Sequence, residues 1–181
     1  MKIKQLIVFV VAVILSSFTF AQNEIPWRAD QRLSWVDFEA TPDETIDAYA
    51  VTSTMIQVVP EQVMVDANNR MKNYRDLTVE VYFIKNRSWV LQRDDNLLKH
   101  EQLHFDIAAL YAQKIKRAFK KLQNNKVRDF DAYLNIYENL FAESRKVQGQ
   151  YDNETNHGID TDANAVWTEK IHSQLEDKPL K

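Results

Sequence analysis

Asp94-Asp95-Asn96-Leu97-Leu98-Lys99-His100-Glu101-Gln102-Leu103-His104-Phe105-Asp106 is the stretch that organises this chain. Its polar head offers N-cap residues, whose side chains accept from the free amides of a first helical turn. From Leu97 onward the apolar positions keep helical spacing through Ile107, Ala108, Tyr111, Ile115, Ala118, Phe119 and Leu122, until Asn124-Asn125 ends the run. The spacing predicts one long helix carrying H-E-x-x-H. Residues four apart on a helix differ by about 40° in direction, so His100 and His104 share a face one turn apart. Two imidazoles placed that way suit a single Zn²⁺. Glu101, about 100° round the helix, reaches a water near the metal rather than the metal itself. The plainer alternative is a pair of core histidines held by hydrogen bonds. Only four histidines occur, His100, His104, His157 and His172, and burying two of them with a glutamate but without a metal or a catalytic task is costly.

Before this helix the chain leans to β-structure. Tyr49 to Val59 is β-branched and partly alternating and predicts a strand ended by Pro60, and Gln62 to Val65 is a short extension. Leu77 to Ile84 predicts a second strand, with Leu77, Val79, Val81 and Phe83 on one face. Lys85 to Ser88 reads as a turn and Trp89 to Leu91 as a short strand. Leu33, Trp35 and Phe38 form an early apolar anchor. After the motif helix, Asp129 or Asp131 starts another helix, with Phe130, Leu134, Ile136, Tyr137, Leu140 and Phe141 as its buried side. It fades by Gly149, Tyr151 to Gly158 reads as a loop, and Ala163 to Leu175 is a last helix buried through Val166, Trp167 and Ile171. The fold class is therefore α+β, a small antiparallel sheet in the N-terminal half packed on long helices. With the motif helix at its centre the expected architecture is zincin-like.

Composition narrows the function classes. Lys2 and Lys4 precede an apolar run from Leu6 to Phe20, and Thr19-Phe20-Ala21 sets small residues where a signal peptidase reads, so residues 1–21 read as a signal peptide cleaved after Ala21. That leaves residues 22–181 as one domain, exported to the periplasm or beyond the cell, with no stable membrane span after cleavage. The net charge is −3, and loss of the two leader lysines makes it more negative, which disfavours nucleic acid as a partner. The basic run Lys114, Lys116, Arg117, Lys120 and Lys121 reads as a solvated helix face. No cysteine occurs, so an exported chain of this kind depends on its core, helped by a metal.

A catalytic zinc needs a third protein ligand and an open position. A third histidine six residues beyond the second, after a glycine, is absent, since that position is Leu110. The residues leave Glu138, Glu143 and His157 open. His157 is followed by Gly158, one of only two glycines, which points to a special backbone angle or a close approach; a surface-loop histidine is the plainer reading. His172 reads as structural.

His100-Glu101-Gln102-Leu103-His104-Phe105-Asp106, with Tyr151-Asp152-x-x-Thr155-x-His157-Gly158 and Trp167, resembles a bacterial domain-of-unknown-function family described as predicted secreted zinc-dependent proteases. Leu33-Ser34-Trp35-Val36-Asp37-Phe38 is similar to that family's N-terminal signature, so the resemblance runs over nearly all of residues 22–181. It implies His157 as the third ligand beside His100 and His104. The resulting expectation is a secreted zinc metallopeptidase acting on a peptide or protein substrate, with Glu101 as general base. Asp106 and Asp152 are expected to accept from the free imidazole nitrogens, Tyr151 to donate to the oxyanion, and the Leu77–Ile84 strand to pair with an extended substrate. The alternative is an envelope binding module with a structural zinc.

Overall fold

A computed structural model describes residues 23–176; the signal peptide expected over residues 1–21 lies outside them. Among the described residues five short strands precede three helices: β1 (Glu24–Pro26), β2 (Ala50–Val51), β3 (Thr54–Val59), β4 (Thr78–Ile84), β5 (Trp89–Val90), α1 (Asp95–Asn124), α2 (Phe130–Thr155) and α3 (Thr161–Glu176). The class is α+β, with antiparallel pairing throughout the strands.

β4 alternates as its sequence requires: Val79, Val81 and Phe83 are buried while Glu80 is exposed. The buried face meets α1, whose Leu103, Phe105, Ile107, Leu110, Tyr111, Ile115 and Phe119 belong to the same core. Aromatic contacts run from Phe38 through Phe83 to Phe105, with centroid separations of 5.1 and 5.9 Å. The motif helix is thus fixed against the sheet by its own apolar positions. Its start is fixed by Asp94, whose carboxylate accepts from the amides of Asn96 (2.8 Å) and Leu97 (3.1 Å).

The strand expected over residues 49–59 divides. β2 pairs with β5, and β3 pairs with β4. The division mirrors the turn at Lys85–Arg87, which separates β4 from β5 and so breaks the partner. At the break, Ser88 Oγ accepts from the Ser53 amide at 2.9 Å.

β4 is the central strand, in the order β1-β4-β3. The Trp27 amide donates to the Val81 carbonyl and the Ile84 amide to the Ser53 carbonyl, so successive β4 residues bond alternately to its two neighbours. Both edges of β4 are filled, and the pairing with a substrate expected for this strand is ruled out. Among the described residues β1 and β3 are the edge strands, and on β3 Thr54 and Ile56, opposite Phe83 and Val81, turn their backbone groups away from β4.

The second correction concerns the loop expected over Tyr151 to Gly158. α2 continues through Gly149 to Thr155, because a glycine inside a helix costs only about 1 kcal/mol and the surrounding turns sustain it. Two expected core positions of α2, Leu134 and Phe141, are more than a third exposed, as is Val166 of α3, while Tyr133, Tyr151, Trp167 and Ile171 are buried.

Candidate metal centre

α1 and the last turns of α2 face each other around His100 and His104. The two Nε2 atoms lie 3.1 Å apart, and both face Asp152 Oδ1, at 3.3 Å from His100 and 2.9 Å from His104. These three donor atoms lie within 4.8 Å of one another, a span that one ion can bridge. The opposite ring nitrogens are anchored. Gln148 Oε1 meets His104 Nδ1, while its amide nitrogen donates to the His104 carbonyl at 2.9 Å. Thr155 Oγ1 donates to the Tyr151 carbonyl (2.7 Å) and lies 3.5 Å from His100 Nδ1, placed to accept from it. Anchoring one nitrogen of each ring turns the other toward a common point, which is how imidazole ligands are oriented.

Electrostatics at this point run one way. Burial pushes the His104 imidazole down, but the hydrogen bond to Asp152 and the charges of Glu101 and Asp152 outweigh it, and its pKa is raised. Burial pushes the Asp152 carboxyl up, yet its bonds to both imidazoles hold it well below the carboxylate range. Glu101 is 3% exposed, and its Oε2 is buried with no hydrogen-bond partner among the described residues. An unpaired carboxylate oxygen in the interior is costly and calls for a proton, a water or a cation beside it. The donor set therefore fits a divalent metal: two imidazoles presenting nitrogens, a carboxylate held ionised, and an orphaned carboxylate at the rim.

The expected site residues separate in space. His100, Glu101, His104 and His157 line one cavity of about 620 Å³, together with Asp152, Thr54 and Phe141. His157 is outside the three-donor group; its Nδ1 is 3.8 Å from Asp152 Oδ1 and its side chain is 57% exposed. It sits on a turn of three successive left-handed residues, Asn156, His157 and Gly158, at φ of 48°, 53° and 85°. A Cβ on Gly158 would lie 2.8 Å from Cγ of His100, so only glycine allows the turn to close on that ring.

Three expectations are corrected. Asp152 presents its oxygen to the point that the two Nε2 atoms share rather than to the outer nitrogens. Asp106 does not touch either imidazole; it accepts from Trp27 Nε1 (2.8 Å), Gln102 Nε2 (2.9 Å), Arg32 (3.2 Å) and His172 Nε2 (2.8 Å), on the far side of α1. Tyr151 is fully buried and stacks on His100 at 4.5 Å, with its hydroxyl on the His100 carbonyl and Asn164 Oδ1, so it is not aimed at an oxyanion. Burial and the nearby carboxylates of Glu101 and Asp152 push its pKa up. Of the other ligand candidates, Glu138 is exposed, and Glu143 is exposed and bonded to the Tyr111 hydroxyl. His172, which the sequence reads as structural, lies with its Nε2 2.8 Å from Asp106 Oδ2. The sequence reading does not single out Gln148 and gives Thr155 no role beyond its place in the motif, although 148, 152 and 155 fall on one helical face once this segment is read as helix.

Neither the search of curated proteins nor that of solved structures returned a match. Residues 84–158, which run from the end of β4 through the motif helix to Gly158, match a family described as a bacterial protein of unknown function (DUF922).

Proposed function

We propose that this protein is a zinc-dependent hydrolase exported to the bacterial envelope or beyond, and that its substrates are peptides or proteins. The observation that carries the reading is Glu101 Oε2, buried and unpartnered beside the point shared by His100, His104 and Asp152. A purely structural metal has no use for a base there, and a structural zinc site takes four protein donors where this group offers three. The family match, the α+β class and the cavity at the motif are compatible with a zincin-like peptidase.

His100, His104 and Asp152 are the proposed ligands of Zn²⁺. A zinc ion held there would polarise the scissile carbonyl and make a water acidic enough to attack near neutral pH. Glu101 takes the proton of that water and passes it to the leaving nitrogen. Gln148 and Thr155 keep the two imidazoles in register. An extended substrate is accommodated by the open edge beside the cavity: Thr52 and Thr54 line it, while the Ile56 carbonyl is already taken by the Tyr137 hydroxyl at 2.7 Å. Backbone pairing along such an edge binds peptides with little dependence on side chains. Ile46, Tyr49 and Phe141, all exposed apolar residues of the same cavity, favour apolar side chains in the substrate.

The test is metal content and cleavage of a quenched-fluorescence peptide library by the purified protein and by Glu101→Gln. Zinc bound by both, with cleavage only by the wild type, supports the reading. A protein that takes up no zinc on reconstitution refutes it.

A further inference from the structure

We propose that His157 is a catalytic residue on the substrate side of this centre, donating a hydrogen bond to the oxygen of the bond under attack rather than binding the metal. The inference rests on the metallohydrolase reading and adds a residue to it.

Three observations carry it. The first is anchoring. His100 and His104 each have the outer ring nitrogen met by a side chain, Thr155 and Gln148, whereas the His157 ring has no hydrogen bond among the described residues and only the 3.8 Å approach to Asp152. Imidazoles that bind a metal are fixed through their second nitrogen, and His157 lacks that support. The second is exposure. The side chains of His100 and His104 are 2% and 14% exposed, against 57% for His157. His157 stands at the junction of the 620 Å³ cavity and a recess of about 270 Å³, which also share Tyr49 and Leu97. A group at such a junction meets whatever enters.

The third is rigidity. The His157 amide donates to the Asp152 carbonyl at 2.8 Å, and the Asp160 amide to the Thr155 carbonyl at 2.9 Å. Gly158 closes the turn against the His100 ring. A non-glycine residue at positive φ is disfavoured and persists only where its surroundings over-determine it. The backbone therefore fixes the point from which the His157 side chain leaves the main chain, beside Asp152 and His100, while the exposed ring makes no hydrogen bond of its own among the described residues.

During hydrolysis, water adds to the carbonyl carbon and the π pair of the C=O bond moves to oxygen. A ring N–H of His157 meets that oxygen without transferring its proton. The pair returns as the C–N bond breaks, and Glu101 delivers the water's proton to nitrogen. A donor that meets the oxygen where charge develops lowers the barrier more than it tightens ground-state binding.

The test uses the cobalt(II)-substituted protein, as wild type, His157→Ala and His157→Gln. Cobalt per chain, the visible absorption of the bound ion, and the dissociation constant of acetohydroxamate are measured. All three proteins should bind cobalt with the same spectrum. Acetohydroxamate should bind about tenfold more weakly to His157→Ala, the loss of one good hydrogen bond, with partial recovery in His157→Gln, whose amide still donates. Loss of cobalt or a changed spectrum in His157→Ala would make His157 a ligand and overturn the proposal, as would unchanged acetohydroxamate affinity. A wild type that binds no cobalt removes the metal reading itself, and this inference with it.

Discussion

Glu101 is buried on the same helix that presents His100 and His104, and its Oε2 has no hydrogen-bond partner among the described residues; on the proposed reading it is the general base. Glu101→Gln preserves size and removes basicity. Peptide cleavage should fall by about 10²–10⁴-fold while zinc stays bound, as expected for loss of a general base. Parallel metal analysis and turnover decide it, and full activity in the variant removes the assigned role. The metal-free protein makes a second prediction. The raised pKa of His104 contributes stability that is complete below its ordinary 6.5 and is lost as pH rises through the raised value. The lowered pKa of Asp152 contributes stability present above its ordinary 3.8 and lost as pH falls toward the depressed value. From this pair, the metal-free Tm should be highest between pH 3.8 and 6.5 and should fall on the alkaline side. Zinc must displace the His104 proton, so its stabilising effect should grow as pH rises. A Tm series with chelator and with zinc checks both slopes; a flat chelator series above pH 6.5 contradicts the assignment.

Among the elements, α1 was legible because three signals agree: the Asp94 cap, the 3.6-residue apolar period and the Asn124-Asn125 stop. β4 was legible because alternation is a local property. The end of α2 was not. Gly149 and the polar run after it resemble a helix terminus, and what keeps that segment helical is tertiary: Tyr151 packs on His100 and Trp167, and Thr155 is fully buried. The split of residues 49–59 was equally hidden, since strand partners are non-local. Read as a loop, residues 151–158 give no reason to place Gln148, Asp152 and Thr155 on one face; read as the end of α2, they share one. The two glycines test this element directly. Gly149 lies mid-helix with open space around its Cα, so Gly149→Ala should stabilise by about 0.5–1 kcal/mol. Gly158 is at φ +85° against the His100 ring, so Gly158→Ala should destabilise by about 1–3 kcal/mol and displace His100, weakening zinc binding. Chemical denaturation of both variants gives opposite signs if α2 and its terminal turn are as described; a stabilising Gly158→Ala would show that the turn is not closed on His100.

For the molecule as a whole, Asp106 is a polar joint that adds to the apolar packing of the motif helix by tying it to the segment after β1 and to α3. Its carboxylate is 1% exposed and gathers donors from the segment after β1 (Trp27, Arg32), from α1 itself (Gln102) and from α3 (His172). Gln102 extends the joint by accepting from the Leu33 amide at 2.8 Å. The sequence places Asp106 two residues after His104, which invites a role at the metal, but that offset is about 200° of helix and turns it to the opposite face. Asp106→Ala strands the donors of Trp27 and Gln102 and leaves Arg32 and His172 without their shared partner, so unfolding free energy should drop by about 3–5 kcal/mol. Zinc affinity of the folded protein should change little, because no bond from Asp106 reaches His100 or His104. Guanidinium unfolding and a zinc titration of the same preparations separate the two possibilities. A large fall in zinc affinity with unchanged stability would return Asp106 to the metal's outer shell; a large fall in stability with intact binding identifies it as the clamp that carries α1, and with it both imidazoles, on the sheet and α3.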